Sequence, residues 1–286
     1  MKYLTSAFVI CCCIVIFTAC GNTNDDSLSA ESYPEFTLRG SQVRPFHSEK
    51  VDEDYKLHIS LPPGYDKASD RYPVLYLTDS DSFFGFVRII ARTLQYQKSI
   101  PNIIIVGIGY KETGKVAWDN RARDHLPAKH EDIPAAGGAG KYLAFLQEEL
   151  IPYIETNFRV KSDDRIFAGM SSGGTLGAFT LVTAPETFSR YLIVSPALHT
   201  GNEMIIDLEK KYADLHNDLP ARVYTALGEH EPDIMSVGWN DFVAGLEKSN
   251  YSGLELTSEI IDDGTHMDAV YSAYVRGLKA VFDDWD

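Results

Sequence analysis

Ile166-Phe167-Ala168-Gly169-Met170-Ser171-Ser172-Gly173-Gly174 is the stretch that decides the fold. An apolar run enters a sharp glycine turn, with G-x-S-x-G at Gly169, Ser171 and Gly173. A strand-to-helix elbow is written this way. The turn is so tight that only small residues fit beside the serine. It holds the Ser171 hydroxyl at the mouth of a sheet, with the N-terminus of the next helix beneath it. Ser171 is therefore the candidate nucleophile, and the backbone N–H of Ser172 a candidate oxyanion donor. The Ser172 hydroxyl is a poor substitute, because Met170 breaks the glycine pattern one place along.

A serine hydroxyl is a weak nucleophile and needs a base within hydrogen-bond reach. Two later stretches supply the partners. Ala221 to Gly228 reads as a buried strand, followed directly by the acids Glu229, Glu231 and Asp233. Leu254 to Ile261 reads as a strand, with Asp262-Asp263-Gly264-Thr265-His266 as the loop after it. The order is Ser, acid, His, each just after a predicted strand. That is the order of an α/β-hydrolase, not of chymotrypsin or subtilisin. His266 is the candidate general base, with His230 as its rival in the acid loop. Glu231 is the preferred orienting acid, while Asp233 and Glu229 stay open.

Outward from the elbow the chain alternates strands and helices. Strands are expected at Tyr55 to Leu61, Tyr72 to Thr78, Asn102 to Gly109 and Tyr191 to Val194. Helices are expected at Phe83 to Gln97, Lys141 to Thr156, Glu203 to His216, Met235 to Lys248 and Met267 to Phe282, with a kink or stop at Pro152. Such alternation implies a mainly parallel sheet with helices on both faces. Lys111 to Gly140 and Pro196 to Pro220 are long connections, and the second is too short for a large cap domain. The expected site is an open, shallow pocket with a minimal cap, partly roofed by the Lys111 to Gly140 loop. Trp118, Arg121 and Arg123 of that loop are candidate substrate contacts, with structural ion pairing as the plainer role for the arginines.

The chain has 286 residues, 44% hydrophobic and 23% charged, which suits one domain with a large core over residues 41–286. Its formal net charge of −15 repels nucleic acid. Lys2 precedes an apolar run from Leu4 to Ala19 that is shorter than a bilayer-spanning helix requires. Phe17-Thr18-Ala19-Cys20 resembles a bacterial lipobox, with Phe17 where Leu is usual. The expectation is a lipoprotein signal peptide at 1–19, a lipidated Cys20 and a flexible tether over 20–40. That makes the membrane a partner, through a lipid anchor in the bacterial envelope. The cysteines are Cys11, Cys12, Cys13 and Cys20, so the domain has no thiol nucleophile. The histidines lack ligand spacing and no metal is expected. Gly107-Ile108-Gly109 lacks the third glycine of a dinucleotide fingerprint, and no cofactor is expected.

Several stretches together resemble the Putative esterase family of α/β-hydrolases, the group that includes enterochelin and salmochelin esterases. They are Leu61-Pro62-Pro63-Gly64-Tyr65, Tyr72 to Leu77, Val106 to Tyr110, Arg121 to Pro127, Glu148 to Glu155, the elbow and Gly228-Glu229-His230-Glu231-Pro232. The resemblance runs from about Phe46 to Asp284. It implies a serine esterase acting on a small-molecule ester through an acyl-enzyme. The substrate would be a siderophore-like lactone or a small acyl ester. An acyltransferase on the same triad, or a non-catalytic binding lipoprotein, are the alternatives. Relatives often carry glycine after the first parallel strand, where this chain has Thr78-Asp79-Ser80-Asp81-Ser82. The backbone N–H of Asp81 or Ser80 is the candidate second oxyanion donor, on a turn that also caps the next helix. So acidic a chain does not steer a ferric catecholate, so any such activity must rest on local arginines.

Overall fold

The computed structural model describes residues 36–201 and 204–285. The expected signal peptide, Cys20 and the expected tether up to residue 35 lie outside the described residues. Residues from Thr37 onward form one compact unit.

The strands that carry the elbow are buried on both faces, so they read as near-continuous apolar runs. The sheet has eight strands: β1 Ser41–Ser48, β2 Glu53–Ser60, β3 Tyr72–Leu77, β4 Ile104–Tyr110, β5 Val160–Met170, β6 Arg190–Val194, β7 Asp218–Gly228 and β8 Ser252–Ile261. Their order is β1-β2-β4-β3-β5-β6-β7-β8. β1, β2 and β4 pair antiparallel, and every pair from β4 to β8 is parallel. This is the mainly parallel sheet that the alternation implied.

Side-chain alternation divides the core into two layers. Val74 and Tyr76 of β3 and Phe167 of β5 face one layer. Helices α3 Ala139–Phe145, α4 Ile151–Asn157, α5 Ser172–Thr183, α6 Met204–Leu215 and α7 Asp233–Ser249 supply it with Tyr142, Ile154, Leu176, Ile205 and Phe242. Leu75, Leu77, Ile166 and Ala168 face the other layer, which α1 Ser80–Tyr96 and α8 Ala269–Val281 cover. Burial of this kind contributes roughly 25 cal/mol per Å² of apolar surface, and it is the main stabilising term.

Pro152 interrupts its helix as expected: the regular α3 ends at Phe145, the turn Leu146–Leu150 just before the proline widens to a π-helix, and α4 follows. Two local differences from the sequence expectations have physical causes. The connection expected as a loop over Lys111 to Gly140 holds a helix, α2 Gly114–His125. Its sequence has no apolar stripe, because the residues it buries are Ala122, Asp124 and His125. Helix α1 starts at Ser80 rather than near Phe83, so the acidic turn forms its first turn.

Candidate active site

The neighbours of β3 are β4 on one side and β5 on the other. Strand order therefore reverses at β3, and a crevice opens at the carboxyl ends of β3 and β5. The registers align Leu77 with Ala168, and the Thr78 N–H donates to the Ala168 carbonyl at 3.0 Å. The acidic turn after β3 is thus held beside the elbow after β5.

Ser171 sits on that elbow at φ 58°, ψ −122°, a conformation costly for any residue with a side chain. Gly169 makes it possible: a Cβ there would land on the Gly173 carbonyl group. Gly173 is equally confined, against the Thr78 hydroxyl. Helix α5 starts at Ser172 and is buried almost throughout. The N–H of Ser172 is its first orphan donor, and those of Ser80 and Asp81 open α1. Among the described residues, none of the three is paired with an acceptor.

Ser171 and His266 line one cavity of about 380 Å³ with Asp79, Asp81, Phe83 and Trp118 among its walls. Tyr110, Ala117, Met170 and Met267 complete a mostly apolar lining. The Ser171 hydroxyl makes no hydrogen bond to the His266 ring in this structure. His266 Nδ1 lies 3.0 and 2.9 Å from the two carboxylate oxygens of Glu231. The Glu231 side chain is fully buried, while that of His266 is 32% exposed. With Nδ1 occupied, Nε2 is the ring nitrogen left to take a proton.

The register of β7 against β8 explains why Glu231 faces His266. Gly228 pairs with Ile261, so the two loops start side by side. The Glu229 N–H donates to the Ile261 carbonyl, and the Glu229 carboxylate accepts the Asp263 N–H at 2.8 Å. His230 turns to Asp263 at 3.1 Å. Asp233 opens α7. Of the three acids left open by the sequence, Glu231 is the one whose carboxylate hydrogen-bonds His266.

The other named residues divide. Arg121 lines the cavity but is committed to Asp79, through Nε at 2.7 Å and a terminal nitrogen at 2.9 Å, and also donates to the Met170 carbonyl. Its guanidinium also lies over the Trp118 ring. Burial alone would push the Asp79 carboxyl up, but the Arg121 charge wins and holds it below the usual carboxylate range. Asp81 accepts from Lys56 Nζ and from the Tyr110 N–H, both at 2.9 Å. Arg123 is not brought into this cavity. It binds Asp124 and Glu53 and lines a separate one of about 310 Å³.

Three residues had no catalytic expectation from sequence. Asp79 adopts a left-handed conformation, φ 54°, in the turn directly after β3. His125 is buried, its Nδ1 lies 3.3 Å from the Ser172 hydroxyl, and burial pushes its ring down to about 4. Burial, with the charges of His130 and then His266 added to it, pushes the His199 ring down. Position after a strand was a usable signal for Asp79. The two histidines carry none, since only tertiary packing brings their helices here. Among the described residues, no group of three or more His, Cys, Asp or Glu is arranged to hold a metal ion.

A family model described as Putative esterase matches residues 48–241. The ferri-bacillibactin esterase BesA of Bacillus subtilis is 32% identical over 212 residues, which cover 68% of this chain and 72% of the relative. A siderophore enterobactin esterase of Emericella nidulans is 26% identical over 57% of this chain and 60% of its own. The crystal structure of a BES protein from Bacillus cereus shares the fold, with a TM-score of 0.78 at 24% identity, over 87% of this chain and 97% of that one.

Proposed function

From the premise that the chain belongs to the Putative esterase family and is a carboxylic ester hydrolase, we propose a serine mechanism through an acyl-enzyme. The observation that carries it is the single cavity joining Ser171, on its strained elbow, to a His266 ring held by buried Glu231. Ser171 Oγ attacks the ester carbonyl while His266 Nε2 takes its proton. The unpaired N–H groups of Ser172 and of Asp81 or Ser80 receive the oxyanion, where two helix N-termini add favourable field. His266 then protonates the leaving alcohol, and water releases the acid by the same steps reversed. Apo sites often hold such hydrogen bonds long, so closure of the Ser171–His266 contact belongs to the substrate complex.

The substrate reading follows from the lining. Phe83, Trp118, Tyr110, Met170 and Met267 suit an apolar or aromatic acyl group. Arg121 is neutralised by Asp79, Lys56 by Asp81, and Arg123 lies elsewhere. The site offers no unpaired arginine to a polyanionic ferric complex, which favours uncharged esters and metal-free lactones. The decisive experiment is labelling with a fluorophosphonate, beside a panel of acyl esters and metal-free and ferric siderophore lactones. Ser171→Ala is expected to abolish labelling and lower hydrolysis by roughly 10³-fold or more. Labelling that survives in Ser171→Ala would remove Ser171 from the mechanism.

The lipobox-like Phe17 to Cys20 supports a lipid-anchored protein of the bacterial envelope. Cys20→Ser should release it from the membrane fraction, and a variant that stays membrane-bound argues for an uncleaved apolar anchor.

A further inference from the structure

A further cavity, of about 850 Å³, shares no residue with the one that holds Ser171. It lies between the start of β1, the turn after β2 and helix α1. Arg39, Lys67, Arg88 and Arg92 bring four cations to it, against Asp66 alone among the acids. In a chain with 41 acids and 26 bases, many arginines hold a carboxylate, as Arg123, Arg165, Arg190 and Arg222 do. Among the described residues, Arg88 and Arg92 hold none. Arg88 donates to the Ser60 hydroxyl at 3.1 Å and to the Arg39 carbonyl. Arg92 donates to the Leu61 carbonyl at 2.7 Å. These neutral partners use only part of each guanidinium fork.

The two arginines are one helical turn apart on α1, where like charges repel. Both are partly buried, and burial pushes both guanidinium groups down in pKa; for Arg92 the Arg88 charge adds to it. A half-buried pair of cations without a counter-ion is unfavourable, and an oxyanion bridging the two forks relieves it. Leu61, Pro62 and Tyr65 flank the charges with apolar surface. We propose that Arg88 and Arg92, with Arg39 and Lys67 beside them, form a binding site for a phosphate group, either of a lipid headgroup or of a free solute. The headgroup source fits the chain's route: Arg39 is 19 residues after Cys20. A tether of that length reaches about 60 Å when extended, so an anchored domain can bring this groove to the bilayer.

The test uses the full chain carrying Cys20→Ser, so that no acyl chain contributes. Co-flotation compares phosphatidylcholine vesicles with vesicles that also contain phosphatidylglycerol, and calorimetry measures inorganic phosphate. The expected result is a preference for the anionic vesicles of about tenfold that falls with salt, or saturable phosphate binding. The double variant Arg88→Gln with Arg92→Gln should lose about tenfold of whichever binding is seen, with ester hydrolysis unchanged. Should that variant misfold, Arg39→Gln with Lys67→Gln leaves the carbonyl contacts intact and should still weaken binding by about threefold. Phosphate binding without vesicle preference assigns the site to a solute; vesicle preference without phosphate binding assigns it to a headgroup. Absence of both, or binding that neither variant reduces, overturns the proposal.

Discussion

Glu231 places both carboxylate oxygens within 3.0 Å of one ring nitrogen of His266. An anion there fixes the tautomer and stabilises the ring when it becomes charged. Glu231→Gln keeps the shape and removes both effects. It should lower kcat by roughly 10²-fold or more with little change in KM. Asp233→Asn should change neither by more than about twofold, because the carboxylate that His266 hydrogen-bonds is that of Glu231. Steady-state kinetics on the two variants decide it: a crippled Asp233→Asn moves the orienting role two residues along. Glu229→Gln is a poorer probe, since Glu229 secures the Asp263 backbone of the histidine loop.

At the scale of elements, α2 is unusual. It is not held by an apolar stripe but by polar groups that it buries. Asp124 receives the Tyr55 and Tyr110 hydroxyls at 2.7 and 3.1 Å, and Arg121 ties the helix to Asp79 and to the Met170 carbonyl. Arg121 thus joins the wall of the pocket to both the turn after β3 and the end of β5. Arg121→Gln would leave the Asp79 carboxylate buried without its cation. Breaking such a pair costs about 3–5 kcal/mol, far more than an exposed ion pair is worth. Denaturant unfolding should show that loss, and fluorophosphonate labelling should slow as the elbow loses its brace. A loss below about 1 kcal/mol would mean that water reaches Asp79 and that the pair is not structural.

For the whole molecule, His125 contributes to acid sensitivity, beside the His58 and His199 rings that burial also pushes down. In the fold the buried His125 ring takes up a proton only near pH 4, whereas in the unfolded chain it does so near its ordinary 6.5. Between those values the unfolded state holds more protons, so stability rises with pH across the window. The contribution is complete above about pH 6.5 and is lost as pH falls towards 4, amounting to roughly 3 kcal/mol. Urea unfolding at several pH values should show this slope in the parent and a shallower one in His125→Gln. Parallel profiles would assign the acid sensitivity to other groups.

The local signals in the chain were enough for the elbow at Ser171, for the strands that run into Ser171, Glu231 and His266, and for the two-sided sheet. Each of these is a short-range matter. A tight turn selects glycine, strands buried on two faces select unbroken apolar runs, and the order of chemical groups survives in one dimension. Even α1, α7 and α8 were legible, because their apolar faces repeat at helical spacing. Helix α2 was not, since polar groups bury well only when partners from distant strands satisfy them, and no periodicity records that. Among Glu229, Glu231 and Asp233 the sequence favoured Glu231 without excluding the other two. Three acids within five residues look alike along the chain, and only the pairing of Gly228 with Ile261 determines which one meets His266. The same holds for the arginines. Charge is visible in sequence, but whether Arg121 meets Asp79 or Arg88 meets no acid is decided by what the fold brings within a few ångströms.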